Sequence, residues 1–229
     1  GITRPCTKHN WLVKDTAKLS ETIHQAFHVA KSGRPGPVLI DIPKDVQIAQ
    51  ATWNAAAPQR QIRYNPPHTG SERDIARAIE LLANAKAPIL YTGGGVINSG
   101  PRATELLRQL QTLTGAPVTS TLMGLGAFPA DHADWLGMLG MHGTYEANMA
   151  MHYSDVLLAV GARFDDRVIG SPAHFASEPR KIIHIDIDPS SISKRVKVDV
   201  PIVGHVDEVL GELLSLLDAT SERPDQESL

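Results

Sequence analysis

The sequence predicts a doubly wound α/β domain with a largely parallel sheet, preceded by a helix and a strand from a neighbouring α/β domain. Between residues 71 and 217, short apolar runs alternate five times with helical apolar periodicities, which is typical of parallel sheets covered by helices. Residues 49–70 are polar and rich in alanine and proline, a composition that indicates an interdomain linker. The chain therefore divides into a short first region and a longer second region.

The first region, residues 1–48, contains one predicted helix and one predicted strand. The helix covers 20–33, with Ser20 as N-cap and Gly33 as its left-handed stop. Its predicted buried face carries Ile23, Phe27 and Ala30. A nearly continuous apolar strand at 38–42 indicates cover on both faces. Because one helix and one strand cannot bury themselves, we expect this region to be the last piece of a domain that begins upstream.

The second region begins with two predicted helix–strand units. Ser71 is the predicted N-cap of the first helix, and the strand 88–91 follows it. Pro101 opens the second helix, Gly115 closes it, and the strand 117–120 comes next. The predicted core positions of these helices are Ile75, Ile79, Leu82, Ala103, Leu106, Leu107, Leu110 and Leu113.

The alternation continues to the end of the second region. A short helix is predicted at 144–152 and a strand at 155–160. Further strands are predicted at 181–187 and 201–203. An amphipathic helix over 206–217 completes the predicted domain.

Composition excludes several classes of function. The net charge of -3 gives no electrostatic footprint for nucleic acid. No apolar run approaches the ~18 residues that a membrane-spanning helix needs. The single cysteine, Cys6, cannot form an intramolecular disulfide and fits a reducing compartment.

A glycine run marks the first candidate site. Open parallel sheets bind ligands beyond the carboxyl ends of their strands, where the strand order reverses. Gly93, Gly94 and Gly95 follow a predicted strand and could let backbone N–H groups approach a phosphate. The run lacks the third glycine of a dinucleotide fingerprint, because Asn98 stands there. An ordinary tight turn is the alternative interpretation.

The segment 161–167 is the second candidate site. It follows a strand and places Arg163 and Arg167 around Asp165 and Asp166. A planar guanidinium donates paired hydrogen bonds to phosphate, so the segment could hold a pyrophosphate or an adenosine edge. The alternative is a solvated cluster of ion pairs.

Two further clusters follow strands. Asp186 and Asp188 could accept hydrogen bonds from ribose hydroxyls, with helix capping or a metal site as alternatives. In the loop 139–144, Met141 and His142 could contact a ring system, or the histidine could be an ordinary loop residue. From these residues alone, the second region is predicted to bind a nucleotide or dinucleotide, and the reaction stays open.

Five motifs in one order resemble the large subunit of acetolactate synthase (acetohydroxyacid synthase), a thiamine-diphosphate enzyme. The motifs are 32–45 (SGRPGPVLIDIPKD), 121–126 (TLMGLG), 136–148 (LGMLGMHGTYEAN), 161–167 (GARFDDR) and 184–193 (HIDIDPSSIS). The likeness covers nearly all of residues 1–217, and its wording is closer to bacterial than to plant members. The HGTYEAN and RFDDR runs favour this family over sister enzymes such as pyruvate oxidase, glyoxylate carboligase or oxalyl-CoA decarboxylase.

The resemblance implies a division of the chain into four parts. Residues 1–48 would end the domain that binds the thiamine pyrimidine, and 49–70 would be a linker. Residues 71–217 would form the central, Rossmann-like FAD-binding domain, and 218–229 a polar tail. Thiamine diphosphate and Mg²⁺ would be bound only by the intact enzyme, so no metal ligand and no catalytic residue is expected in this chain, which should be inactive alone.

The resemblance also implies a reaction and partners for the intact enzyme. It would condense two pyruvates, or pyruvate and 2-oxobutyrate, with loss of CO2, in bacterial cytoplasm and for branched-chain amino acid biosynthesis. The large subunits would form a homodimer or tetramer with a small regulatory subunit, without nucleic acid or membrane. A non-catalytic nucleotide-binding module is the alternative from a different class.

Individual residues match the family's flavin contacts and substrate channel. The implied flavin-binding residues are Arg34, Gly93, Gly94, Leu122, Met141, His142, Gly161, Arg163, Asp165, Arg167, Asp186 and Ile187. The implied substrate-channel residues are Lys44, Met141, Asp166 and Arg167. One position departs from the pattern, because many relatives have aspartate at the adenine end where this chain has His205. Imidazole can donate or accept a hydrogen bond, whereas a carboxylate only accepts.

Overall fold

The computed structural model describes residues 1–52, 66–175 and 179–221. It divides into two compact units, an N-terminal unit of residues 1–66 and a C-terminal unit of residues 67–229. Most of the predicted linker and most of the predicted polar tail lie outside the described residues. No helix among the described residues is both long and apolar enough to cross a membrane.

The N-terminal unit contains a pair of parallel strands with helices around it. The strands are β1 (Asn10–Leu12) and β2 (Leu39–Asp41), and the helices are α1 (Leu19–Lys31) and α2 (Lys44–Ile48). Short 3-10 helices lie at Arg4–Cys6 and Thr16–Lys18. The strand predicted at 38–42 is present, but Leu39 and Ile40 are only partly buried, because β2 pairs with one short strand.

The ends and the face of α1 differ partly from their prediction. The Gly33 stop is confirmed by its φ of +60°. The Ser20 cap is wrong, because a 3-10 turn capped by the Asp15 side chain leads directly into the helix. The buried residues are Ala26 and Val29, whereas Phe27 is 66% exposed. α1 lies against β2, and its small and β-branched side chains face inward while its bulkier side chains face outward.

The C-terminal unit is built on a six-stranded parallel sheet, which confirms the predicted fold class. The strands are β3 (Pro88–Thr92), β4 (Val118–Ser120), β5 (Trp135–Met138), β6 (Val156–Val160), β7 (Lys181–Asp186) and β8 (Val200–Val203). Their order across the sheet is β5-β4-β3-β6-β7-β8. The chain moves outward from β3 to β5 and then returns to the other side of β3. The switch point therefore lies between β3 and β6.

Helices connect these strands and cover the sheet. They are α3 (Glu72–Ala83), α4 (Gly94–Asn98), α5 (Pro101–Thr114), α6 (Tyr145–Tyr153), α7 (Pro172–Phe175) and α8 (Val206–Ser221). Ser71 occupies the predicted N-cap position of α3, but its side chain makes no capping hydrogen bond. Gly115 ends α5 with a φ of +62°, as predicted.

Two apolar clusters lie on opposite faces of the sheet. One packs α3, α5 and α8 against side chains that include Leu158 and Ile183. The other joins Tyr91, Ala159 and Phe164. Because side chains alternate along a strand, neighbouring residues of the central strands are buried on opposite faces. The predicted α3 and α5 core positions are buried or packed against the core, except Leu113, which is 52% exposed.

Strand β5 is absent from the sequence prediction. Its four residues, Trp135–Met138, include Gly137 with a φ of +82° and are all only partly buried. The register between β4 and β5 also shifts. Gly137 interrupts the apolar run of this edge strand, and the strand lacks the regular alternation by which half-buried strands are recognised.

Candidate functional site

The carboxyl ends of the six parallel strands meet at one edge of the sheet, here named the carboxyl edge. It consists of the segments that follow the strands, namely 93–95, 121–126, 139–144, 161–167, 187–191 and 204–205. All the candidate residues of the second region lie in these segments or at the last position of β7. Parallel pairing alone therefore brings them to the same side of the domain.

The switch point is closed by glycines that pack backbone against backbone. A Cβ atom on Gly93 would overlap the Gly161 carbonyl oxygen, and one on Gly95 would lie 2.6 Å from the Gly161 Cα. The Gly93 and Gly95 amides donate to the carbonyls of Val160 and Gly161, at 2.9 and 3.1 Å. Glycine is therefore required at 93 and 95 by contact with the β6 loop. At Gly94, a Cβ would meet Met123 at 3.2 Å.

Glycines also join the neighbouring loops. A Cβ on Gly140 would overlap the Arg167 carbonyl, and one on Gly124 would lie 2.6 Å from the Thr92 carbonyl oxygen. The Met141 amide donates to the Arg167 carbonyl at 2.9 Å. The loop after β5 is thus tied to the loop after β6 across the carboxyl edge.

The segment 161–167 presents charged side chains to solvent. Arg163 and Asp165 form an ion pair with N–O separation of 3.7 Å, and their side chains are 56% and 38% exposed. The Arg167 amide donates to Asp165 Oδ1 at 3.2 Å, and its Nη1 lies 3.8 Å from the Met141 sulfur. Asp166 is exposed. The ion pair that formed the alternative interpretation is present, and both of its side chains remain partly exposed to solvent.

Asp186 and Asp188 have different surroundings. Asp186 ends β7, is 7% exposed, and accepts the Asp188 amide at 2.8 Å. Asp188 accepts the Ser190 amide at 2.9 Å and the Ser190 hydroxyl at 2.6 Å, which is a local capping role. Ile187 between them is partly buried. Among the described residues, no group of three or more His, Cys, Asp or Glu could hold a metal ion.

Apolar side chains stand out from the other half of the carboxyl edge. Leu122 is 68% exposed and Met141 is 64% exposed, and His142 next to it is exposed as well. Leu122 lies in a 3-10 turn that the Thr121 side chain caps by accepting the Gly124 amide at 3.1 Å. The carboxyl edge therefore joins an apolar half, after β4 and β5, to a charged half after β6 and β7.

Arg34 and Lys44 lie in the N-terminal unit. Arg34 follows the left-handed Gly33, Lys44 begins α2, and both are exposed. Their assignment to the flavin site and the substrate channel stays a prediction.

Two of the cavities that the described residues form lie away from the carboxyl edge. One of about 550 Å³ in the N-terminal unit is lined by residues 14–17, 45–46 and 49–52. The other, of about 420 Å³, lies at the amino end of the sheet, beside Lys86 and Gly115. The candidate residues line neither cavity. An extended ligand can bind along an open edge without a closed cavity. The candidate site is therefore identified by the residues of the carboxyl edge.

His205 occupies the end of the carboxyl edge after β8. Its ring stacks on that of His68, with centroids 4.5 Å apart and planes 8° from parallel. The His205 amide donates to the His68 carbonyl at 2.8 Å. The stack covers one face of the His205 ring.

Comparison with known proteins identifies the family. A model of the thiamine pyrophosphate enzyme central domain matches residues 75–213. The chain belongs to the thiamine pyrophosphate enzyme family. Its six-stranded parallel sheet, from β3 to β8, lies within the matched range.

The resemblance predicted from the five motifs is confirmed by curated relatives of this family. The chain is 48% identical to an acetolactate synthase large subunit of Buchnera aphidicola over 95% of its length. It is 47% identical over 96% of its length to acetolactate synthase isozyme 3 large subunit of Escherichia coli. It is 50% identical over 95% of its length to an acetolactate synthase large subunit of Mycobacterium tuberculosis. The chain spans 38%, 38% and 35% of these relatives' own lengths.

Three buried residues of this thiamine pyrophosphate enzyme domain escaped the sequence analysis. Tyr91, Phe164 and His184 form a ring cluster directly beneath the carboxyl edge. Burial raises the pKa of Tyr91 and lowers the pKa of His184 to about 4, so both stay neutral near pH 7. The sequence indicates this cluster only in part. It shows a polar residue, His184, inside an apolar strand, but no local pattern identifies the rings that contact it.

Proposed function

We propose that this chain is the flavin-binding central part of an acetolactate synthase large subunit, together with the end of the pyrimidine-binding domain. The observation that carries the proposal is 47–50% identity to proteins of that name over at least 95% of this chain. The intact enzyme would condense two pyruvates, or pyruvate and 2-oxobutyrate, with loss of CO2. Thiamine diphosphate with Mg²⁺ would supply that chemistry from outside this chain.

The residues of the carboxyl edge fit FAD in the order that the ligand requires. Arg163 and Arg167 offer planar donors for the pyrophosphate. Asp186 stands at the carboxyl end of a parallel strand, where ribose hydroxyls commonly find their acceptor. Leu122 and Met141 provide exposed apolar surface for the flavin ring, with His142 beside them. An extended dinucleotide needs such a sequence of apolar, cationic and acidic groups.

The glycines have a supporting role in this proposal. Gly93 and Gly161 let the loops after β3 and β6 approach each other, which leaves the edge without side chains at the switch point. Gly94 is partly buried beside them. Flavin bound here would stabilise the relative positions of these loops, and Asp166 with Arg167 would reach toward the substrate channel. The chain binds and orients; it supplies no catalytic group.

The proposal extends to domains and partners. Residues 1–48 would complete the pyrimidine-binding domain, and 49–70 would link it to the central domain. The intact large subunit would act on 2-oxo acids in the bacterial cytoplasm. It would assemble as a homodimer or tetramer with a small regulatory subunit.

Two experiments test the proposal. Titration of the 229-residue chain with FAD should give saturable quenching of flavin fluorescence, and Arg163→Ala should weaken binding about tenfold or more. Arg108→Ala is the matched control, because Arg108 is also exposed and ion-paired but lies on α5. Second, the intact parent should convert pyruvate to a product that yields acetoin after acidification. Flavin binding without that product would favour a sister enzyme, and no saturable binding would refute the flavin site.

A further inference from the structure

Phe164 adopts a backbone conformation that bulky residues rarely accept. Its φ is +54°, and among the described residues Ser193 is the one other non-glycine with positive φ. In the left-handed region of backbone conformation the side chain crowds the backbone, and a bulky residue adopts this conformation only where its surroundings stabilise it. Phe164 lies in the middle of the charged segment 161–167.

The surroundings that hold Phe164 are three rings. The Phe164 side chain is 2% exposed, and its centroid lies 5.3 Å from the rings of both Tyr91 and His184. The Phe175 ring lies 6.1 Å away. Tyr91 and His184 flank Ala159 in the sheet register, so the small alanine leaves space between them. The Phe164 ring packs with these residues on the same face of the sheet.

The charged residues directly before and after Phe164 face solvent. Ala162 is buried, whereas Arg163 and Asp165 carry their charges into solvent. After Phe164, the Val168 and Ile169 amides donate to the Asp165 carbonyl, which closes a turn. The left-handed residue therefore bends the chain between the sheet and the loop tied to Met141.

The geometry points to Phe164 as a positioning residue for the flavin site. Its ring, held between Tyr91 and His184, fixes the backbone from which Arg163 and Asp165 extend over the carboxyl edge. The inference rests on the proposed flavin binding, but the anchoring of the loop can be measured without flavin. If the Phe164 ring only filled space in the core, replacing it would not change the arrangement of Arg163 and Asp165.

The test replaces the ring in the 229-residue chain. Phe164→Leu removes the edge-to-face contacts. Phe164→Met fills a similar volume with a flexible side chain, and it is the second variant in case the leucine variant does not fold. Phe128→Leu is the matched control, because Phe128 is 3% exposed and packs on Trp135 in the other cluster. Amide hydrogen exchange of 163–167 without flavin and the FAD dissociation constant are measured for each variant.

Both Phe164 variants should speed exchange of 163–167 and weaken FAD binding about tenfold or more, whereas Phe128→Leu should change each less than about threefold. In an Arg163→Ala, Asp165→Ala background, Phe164→Met should weaken FAD binding by less than a further ~threefold, because the groups that it positions are gone. Unchanged exchange, equal effects of the Phe128 control, or full additivity would overturn the inference. If the wild-type chain binds no FAD, the proposed function fails, and exchange alone decides whether Phe164 anchors the loop.

Discussion

The rings of Phe164 and His184 meet edge to face, with centroids 5.3 Å apart and ring planes at 87°. This relationship joins the loop after β6 to the core of the neighbouring strand β7. Among the described residues, neither ring nitrogen of His184 has a hydrogen-bond partner of standard geometry, and the residue is fully buried. Burial favours the neutral imidazole, because moving a charged ring out of water is costly, and it does so even though Asp186 Oδ2 lies 3.8 Å from His184 Nε2.

Acid should destabilise the C-terminal unit through His184. Its folded-state pKa is about 4, below the ordinary value of 6.5. The unfolded state therefore binds more protons between these values, and the free energy of unfolding falls as pH drops from about 6.5 to about 4, by at most about 3 kcal/mol. Urea unfolding at several pH values measures this slope.

His184→Leu is the control for the pH experiment. The variant cannot take up a proton at this position, so its unfolding free energy should fall less steeply between pH 6.5 and 4 than that of the wild type. Asp186, whose Oδ2 lies 3.8 Å from His184 Nε2, remains in both proteins. Parallel pH profiles would contradict the assignment of the slope to His184.

Alanine at Gly161 should be more destabilising than its backbone angle alone explains. Gly161 and Gly115 have φ of +59° and +62°. A Cβ on Gly161 would lie 2.6 Å from the Gly95 Cα, whereas one on Gly115 would meet no atom of the described residues within 4 Å. Gly115→Ala should therefore cost about 1–2 kcal/mol. Gly161→Ala should cost more, by thermal or urea unfolding. Equal losses would show that the switch-point packing is not tight.

Alanine at Leu122 should separate binding from stability. Leu122 is 68% exposed, so Leu122→Ala should change the free energy of unfolding by less than about 0.5 kcal/mol. It should nevertheless weaken FAD binding, because the exposed side chain is expected to contact the flavin ring. Leu107→Ala, at a fully buried position of α5, should instead cost about 2–5 kcal/mol. An unchanged FAD affinity in Leu122→Ala would remove this residue from the site.

Aspartate at position 205 should strengthen FAD binding. The substitution introduces the acceptor-only carboxylate that the family resemblance implies at the adenine end, and it removes the stack on His68. Calorimetric titration of His205→Asp and of His205→Asn, which has similar size without charge, measures the effect. Weaker binding by His205→Asp would mean that the imidazole is itself the better adenine contact.

Much of the fold could be predicted from the sequence because the central strands are buried on both faces. β3 and β6 are nearly continuous apolar runs, and such runs can be recognised as strands without knowledge of the strands that pair with them. β5 could not be recognised, since Gly137 interrupts it and its burial is incomplete. The prediction of the buried face of α1 was wrong. Apolar residues are scattered around this short helix on two overlapping faces, and tertiary contacts determine which face is buried.

The candidate site could be predicted only as a set of strand ends. Parallel strands place Gly93, Gly161 and Asp186 at one edge whatever the details, so their grouping follows from the alternation of elements. The contact of Gly93 with Gly161 joins residues far apart in sequence, and no local pattern indicates it. The same holds for Phe164 and His184, whose relation depends on the pairing of β6 with β7.

Amide hydrogen exchange with and without saturating FAD tests the central claim most directly. Ligand at the carboxyl edge should protect residues 93–95, 121–124 and 161–167 of the 229-residue chain. Residues 85–88 and 115–117, at the amino end of the sheet, should exchange equally in both states. Protection at the amino end, or no FAD-dependent protection of 161–167, would contradict the account.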